Sequence, residues 1–211
     1  MTPTDDELSN QWAAGDQRAG KILVERYFTS VDRFFRFKVG EHGKDLTQST
    51  FLAAQEGIRR KRSDSSFRPW LFGIARKKML HHFRALGVAQ RRFDPEVDSV
   101  ADRDPSPSTI IDAGQRHRLL LAALRRLPLD VQMMLELHYW EHMPIAEIAE
   151  IVAKPVGTVK TQMRRGRQRL DQLMEELAES QEELETTRSG LDGWAKRVRR
   201  ECEDEDDASL R

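Results

Sequence analysis

Arginine, threonine and glutamine side chains recur at helical spacing between residues 158 and 168. At 3.6 residues per turn, Val159, Met163 and Leu170 fall on one face of a helix, and polar side chains occupy the other. The polar members are Thr158, Lys160, Thr161, Arg164, Arg165, Arg167 and Gln168. Guanidinium groups bind guanine edges or phosphates, and a single helix fits the major groove of DNA. The pattern predicts a DNA-binding helix, and a plain helical hairpin with a basic surface is the alternative.

A second helix must hold this one in place. Ile145, Ile148, Ala149 and Val152 give the preceding segment an apolar face, and small Ala149 lets two helix axes approach closely. The break at residues 153–155 separates the two helices, so the spacing is that of a helix-turn-helix.

Another cationic segment lies near residue 65. The loop from Lys61 to Arg68 combines cations for phosphates, hydroxyl groups for hydrogen bonds and an aromatic face for stacking on a base. Its candidate residues are Lys61, Arg62, Ser63, Ser65, Phe67 and Arg68, and Arg76 and Lys77 continue a basic face on the following helix. The alternative is a disordered connection between helices.

The whole chain predicts an all-α fold. Helices are expected at residues 8–14, 16–39, 45–60 and 69–86, with Leu46, Phe51, Leu52 and Ile58 of the third facing inward. Residues 87–115 are acidic, contain Asp-Pro and Ser-Pro breakers, and are predicted to form a flexible linker. The predicted division is 1–86, a helical domain; 87–115, the linker; 116–174, a second helical domain; and 175–211, an acidic, partly helical extension.

The formal net charge of zero hides four blocks of opposite sign. Residues 1–86 carry +6, 87–115 carry −3, 116–174 carry +4 and 175–211 carry −7. Two separate basic blocks indicate two contacts with a polyanion, although two ordinary solvated surfaces would give the same count.

Several motifs together resemble bacterial RNA polymerase sigma factors of the extracytoplasmic-function type. Residues 147–170 are similar to the helix-turn-helix of region four, and 124–141 to the two helices before it. Residues 14–19, 45–51 and 67–76 resemble region two in order and spacing. The chain departs from that family's usual pattern at Ser49, Lys77, His81 and Gln162, and has Ala153 where glycine is common at the turn.

The resemblance implies roles for these residues. Asp45 and Gln48, three positions apart on one helix face, match the positions that bind the clamp of core RNA polymerase. Region two would open the promoter's −10 element with the loop and basic helix named above. Region four would read the −35 element with the recognition helix and contact the polymerase flap. The 29-residue linker spans at most ~95 Å, which exceeds the roughly 60 Å between sites nearly two helical turns apart.

Other function classes find little support in the sequence. No HExxH motif, P-loop or glycine-rich nucleotide fingerprint is present. We therefore expect that the chain catalyses no reaction and binds no cofactor or metal. The single cysteine, Cys202, fits a reducing cytoplasm. No apolar run approaches the ~18 residues of a membrane span, so membrane insertion is not expected.

Three hypotheses follow from these patterns. A sigma factor explains both basic blocks. A helix-turn-helix regulator that never joins polymerase explains only residues 116–174, and an adaptor protein leaves the arginine face unexplained. Leu170, Leu177, Leu184 and Leu191 are spaced by seven, which favours one long helix running into residues 175–211. That extension is either a solvated tail or a regulatory segment that competes with DNA or docks a partner such as an anti-sigma factor.

Overall fold

The computed structural model describes residues 2–62, 65–86, 115–178 and 180–188, and all the regular elements in those ranges are helices. The predicted all-α fold is confirmed for that part of the chain. The expected linker, apart from Gln115, lies outside it, as do Ser63 and residues 189–211, including Cys202.

Four helices form the N-terminal unit: α1 (Asp5–Ala13), α2 (Gln17–Val39), α3 (Gly43–Gly57) and α4 (Phe67–Ala85). Short 3₁₀ turns, Gly40–His42 and Ile58–Arg60, flank α3. Helix α1 begins three residues earlier than predicted, because Thr4 and Glu7 form a capping box that satisfies free amide groups. Asp16 caps α2, and its carboxylate accepts a hydrogen bond from the Arg18 amide at 2.8 Å.

Helix α3 turns a different face to the core from the one predicted. Leu52 is 56% exposed, so its predicted inward position is wrong. Buried Thr47 and Thr50 share the core face with Phe51, because each hydroxyl donates to the carbonyl four residues earlier and needs no water. This choice of face directs residues 45, 48 and 52 outward.

The C-terminal unit comprises α5 (Gln115–Arg125), α6 (Leu129–Tyr139), α7 (Ile145–Val152), α8 (Val156–Leu177) and α9 (Gln181–Arg188). Helix α8 packs on α5, α6 and α7, and α9 folds back onto α5. The apolar side chains of α5 are buried: Leu119, Leu120, Ala123 and Leu124, together with Leu127 just after the helix.

The recognition helix does not continue through the extension. Helix α8 ends at Leu177, and Ala178 adopts an extended conformation with φ −64° and ψ 130°. The single long helix predicted from the leucine column is therefore wrong. Leu184 is buried beside α5 because the chain reverses direction, and Thr187, on the same helix, is buried too.

The two units touch each other directly. Helix α4 packs against α7, and the buried apolar side chains of both units form one continuous cluster. As a result, α6 is buried from Leu129 to Leu137, including its polar residues Asp130, Gln132 and Glu136.

Candidate nucleic-acid interface

The polar face of α8 is exposed along its whole predicted length. Val159, Met163 and Leu170 are buried, which confirms the predicted apolar back. The side chains in solvent are Thr158, Lys160, Thr161, Arg164, Arg165, Arg167 and Gln168. Within the described residues Arg164 and Arg165 form no ion pair, so their guanidinium donors are available to an external acceptor.

The turn before α8 orients this face. Ala153 occupies the left-handed region, with φ 54° and ψ 46°, where glycine is usual. The Ala153 amide donates to the Glu150 carbonyl at 3.2 Å and the Lys154 amide to the Ala149 carbonyl at 3.1 Å. These bonds hold the sharp turn between α7 and α8 in spite of the strain at Ala153.

Gly166 sets how closely α8 approaches α6. A methyl group added at this position would lie 2.3 Å from Cγ1 of Val131, well inside van der Waals contact. A groove of about 420 Å³ is lined by residues that include Ile145, Met163, Arg164 and Arg167. The Arg167 guanidinium also donates to the Tyr139 hydroxyl at 3.2 Å, which holds its side chain against the end of α6.

The predicted cations of the N-terminal unit lie in two different environments. Arg62 and Lys77 are exposed, whereas Lys61 donates to the carbonyls of Arg62 and Ser65 within its own loop. The Ser65 hydroxyl donates to the Arg62 carbonyl at 2.9 Å. The loop is thus closed by local hydrogen bonds around exposed Arg62.

Phe67 does not offer a stacking face. It is 1% exposed and lies among the rings of Trp12, Tyr27 and Trp70, so its predicted role in stacking on a base is wrong. Its backbone amide donates to the Asp6 carboxylate at 2.9 Å, which ties the start of α4 to α1. Phe67 is therefore a core residue.

Arg68 and Arg76 meet the C-terminal unit. Arg68 donates to the backbone carbonyl of Glu141, and Arg76 forms an ion pair with Asp130 at 3.0 Å. Lys154 binds the other carboxylate oxygen of Asp130 at 2.9 Å. Two of the predicted DNA-binding cations are therefore occupied by another part of the same chain.

Further charge pairs cross the same boundary. Lys38 and Glu136 form an ion pair with side chains 0% and 3% exposed, and Arg33 lies 3.6 Å from the Glu141 carboxylate. Burial lowers the pKa of the Lys38 amine and raises the pKa of the Glu136 carboxyl, because desolvation penalises the charged form of each. The mutual attraction of the two charges opposes both shifts.

The outward face of α3 carries the predicted polymerase-binding residues. Asp45 and Gln48 are exposed, and Leu52 extends the same face by one turn. Beside it Phe28 of α2 is 50% exposed and stacks on Phe51, with ring centroids 6.1 Å apart. Sequence reasoning missed Phe28 and Leu52 as members of this face. The spacing of four between Gln48 and Leu52 on α3 could have indicated Leu52, whereas Phe28 lies on α2 and its place beside this face depends on how the two helices pack.

Other residues within the described ranges form no metal site. No group of three or more His, Cys, Asp and Glu side chains comes together there. The rings of His42 and His82 lie 5.2 Å apart, and burial together with His42 lowers the pKa of His82. None of the described helices has the length and apolar character needed to cross a membrane.

Fold and site together define a two-unit helical protein with an exposed helix-turn-helix in one unit and a second cationic surface in the other. Comparison with known families gives two matches: sigma-70 region 2 over residues 23–88 and sigma-70 region 4 over residues 117–170. The ECF RNA polymerase sigma-E factors of Haemophilus influenzae and Escherichia coli K12 are each 27% identical over 187 residues, covering 82% of this chain and 97% and 96% of theirs.

Two solved structures share the fold. CnrH in complex with the cytosolic domain of CnrY has a TM-score of 0.60 at 23% identity, over 82% of this chain and 99% of that one. The sigma factor RpoE of Bartonella quintana, in complex with the anti-sigma factor NepR, has a TM-score of 0.54 at 19% identity, over 75% and 98%. The chain belongs to the sigma-70 family, among sigma factors of the extracytoplasmic-function type.

Proposed function

We infer that this chain is a sigma factor, which binds core RNA polymerase and directs promoter recognition and transcription initiation. The observation that carries this conclusion is the joint presence, in one chain, of both sigma-70 regions in the order of the family. A regulator that works without polymerase would use the exposed face of α8 and leave the outward face of α3 without a partner. The function is binding rather than catalysis, and its place is the cytoplasm, where polymerase and promoter meet.

The C-terminal unit reads the −35 element. The exposed polar face of α8 fits the major groove, where Arg164 and Arg165 are placed to bind guanine edges or phosphates. Lys160, near the start of α8, supports the same contact as a phosphate-binding point charge. The remaining surface of this unit, residues 116–174, contacts the polymerase flap.

The N-terminal unit, residues 1–86, binds the clamp and the −10 element. Asp45 and Gln48 supply polar contacts to the clamp, and Leu52 and Phe28 add exposed apolar area beside them. The −10 strand follows Arg62, Lys61, Ser63 and Ser65 of the loop and then Arg68, Arg76 and Lys77 of α4. Residues 87–115 link the units, and residues 175–211 form an extension through which a regulator such as an anti-sigma factor docks.

Copurification with core RNA polymerase tests this function directly. The full chain should retain core polymerase, and the double variant Asp45→Ala/Gln48→Ala should retain much less. The matched control is Lys21→Ala/Glu25→Ala, which removes an exposed pair on α2 whose side chains are 77% and 64% exposed. Absence of core polymerase from the wild-type chain, or equal loss in both double variants, would contradict the proposal.

A further inference from the structure

The recognition helix α8 carries its cations on more than one side. Arg165 and Arg167 are two positions apart, which places them about 160° apart around the helix, so they cannot both face the floor of one groove. Lys160 and Arg167 are seven positions apart and lie within about 20° of each other. We term the side of α8 that bears Lys160 and Arg167 the flank.

An α-helix in the major groove fills it almost from wall to wall. The helix with its side chains is about 10–12 Å across, and the groove is about 12 Å wide. The strip of α8 between Arg165 and the flank bears Thr161, Arg164 and Gln168. When this strip faces the base edges, the flank faces a wall of the groove, which is a sugar-phosphate backbone. Arg167 is therefore placed at phosphates rather than at bases.

Arg167 is held by a side chain from outside its own helix. Its Nη1 donates to the Tyr139 hydroxyl at 3.2 Å, across 28 positions of sequence. Tyr139 is the last residue of α6, and its half-buried ring packs against the core. The ring of His138 lies edge-on to it, with centroids 5.1 Å apart, and His138 Nδ1 lies 3.2 Å from the Met143 carbonyl. The Tyr139 hydroxyl is thus a fixed point to which the Arg167 guanidinium is attached.

The same hydroxyl has a hydrogen left to donate. A tyrosine hydroxyl is both a donor and an acceptor, and the bond from Arg167 uses its acceptor side. Within the described ranges the Tyr139 hydroxyl donates to no acceptor. A guanidinium carries five N–H donors, and this bond uses one of those of Arg167. The two side chains together therefore offer O–H and N–H donors, which is what a phosphate oxygen requires.

The pair lies beside a groove that a phosphate can enter. Tyr139 and Arg167 both line the groove of about 420 Å³ described above, and Arg167 is exposed to solvent. Asp171, one turn beyond Arg167, also lines this groove. Its carboxylate repels an anion, which restricts a phosphate to the end of the groove that Arg167 occupies.

We propose that Tyr139 is a further DNA-binding residue, which orients Arg167 and shares with it one backbone phosphate along the flank. The bond between them fixes the Arg167 side chain before DNA arrives, so less conformational entropy is lost on binding. Because every sequence carries phosphates, the pair sets the position of α8 in the groove and does not select bases. This inference rests on the proposed function, since it concerns the helix assigned there to the −35 element.

Removal of one hydroxyl group tests the pair. Tyr139→Phe keeps the ring and its packing, and Arg167→Ala shortens an exposed side chain, so both variants should fold, as circular dichroism checks. Tyr27→Phe is the matched control, because it removes the same atom from a hydroxyl that donates to Asp5 in the N-terminal unit. Anisotropy measures binding of the full chain, at low salt and over a salt series, to two labelled duplexes. One duplex carries the −35 element, and the other has an arbitrary sequence.

Tyr139→Phe should bind both duplexes roughly three- to tenfold more weakly, by the same factor, since a hydrogen bond to a charged group is lost. Its salt dependence should equal that of wild type, because a neutral hydroxyl releases no counterion. Arg167→Ala should weaken binding and reduce the salt slope by about one. In the Arg167→Ala background, Tyr139→Phe should cost less than about twofold, because no guanidinium then holds the phosphate beside the hydroxyl.

The outcomes separate this inference from the proposed function. The phosphate pair is overturned if Tyr139→Phe binds as Tyr27→Phe does, if its loss is confined to the −35 duplex, or if its loss is the same with and without Arg167. Any of these results counts even if wild-type holoenzyme makes promoter RNA. An equal loss on both duplexes that depends on Arg167 supports the pair, and the duplex of arbitrary sequence reports that loss even if no holoenzyme forms.

Discussion

The two cationic surfaces of this molecule differ in what surrounds them rather than in composition. On α8 the arginines at 164 and 165 are exposed and form no ion pair within the described residues. On α4, Arg76 is paired with Asp130 of the other unit, and Arg68 donates to Glu141. A run of arginines on a helix therefore does not by itself define an available surface. The C-terminal surface is formed and open, whereas the N-terminal surface depends on the relative position of the two units.

The largest expected effect comes from removing the arginines of the exposed face of α8. Arg164→Ala and Arg165→Ala should each weaken binding to duplex carrying the −35 element by ~1–3 kcal/mol per lost base contact. A quantitative footprint or anisotropy titration on that duplex measures the loss. Lys160→Ala should lower affinity across sequences and reduce its salt dependence, as expected for a phosphate contact.

Lys77→Ala is the matched control for the arginine variants, because Lys77 is an exposed cation of the N-terminal unit. It should leave affinity for the −35 duplex unchanged. Equal footprints for wild type and both arginine variants would show that the exposed face of α8 is not the DNA-binding surface.

A second change tests how the open surface is supported. Gly166→Ala should destabilise the chain by about 1–3 kcal/mol, the usual range for overpacking, because its methyl group would collide with Val131. Urea unfolding followed by circular dichroism measures the difference. Gly157→Ala on the same helix meets no atom within 4 Å and should instead stabilise by about 0.5–1 kcal/mol. Equal stability of the two variants would contradict the close contact of α8 with α6.

A third change concerns the outward face of α3, which is exposed, whereas Arg68 and Arg76 of α4 bind the C-terminal unit. Leu52→Ser should weaken binding to core polymerase by about 1–2 kcal/mol, since an apolar anchor at an interface is lost, and leave stability nearly unchanged. Competition binding against labelled wild-type chain measures the effect. Ile22→Ser is the control, because Ile22 is an exposed apolar residue elsewhere on the N-terminal unit. A loss as large in Ile22→Ser would argue against a localised docking face.

The smallest expected effect concerns the turn that orients α8. Ala153→Gly should stabilise the chain by about 0.5–1 kcal/mol, because glycine relieves left-handed strain while adding entropy to the unfolded state. Thermal unfolding and affinity for the −35 duplex are the measurements, and affinity should not fall. A destabilised Ala153→Gly variant would show that the turn is not strained.

Local patterns predicted most of the fold and the whole of the open surface. The spacing of Val159, Met163 and Leu170 separates the buried from the exposed face of α8, and a helix obeys this periodicity wherever it packs. The same rule failed for Leu52, because buried threonines that bond their own backbone occupy core positions which a hydrophobic pattern assigns to leucine.

The contact between the two units could not be predicted from helical periodicity. Lys38 and Glu136 are 98 positions apart, and nothing local in either segment indicates the other. Phe67 was misassigned because its aromatic neighbours Trp12 and Tyr27 come from helices earlier in the chain. No glycine or proline marks the end of α8 at Ala178. The spacing of seven between leucines therefore led to the wrong prediction of one long helix. One signal was available: Asp130 and Glu136 lie on a helix rich in leucine and methionine, and acidic side chains in such a setting are typically buried with a partner.

Transcription by reconstituted holoenzyme tests the central claim most directly. Core RNA polymerase should be combined with the wild-type chain, and RNA produced from the genomic DNA of the host should be mapped to its start sites. The account predicts RNA that starts at a defined set of promoters, depends on the added chain and is strongly reduced by Arg164→Ala/Arg165→Ala. Holoenzyme that starts no RNA at any promoter, or starts that the double variant leaves unchanged, would contradict it.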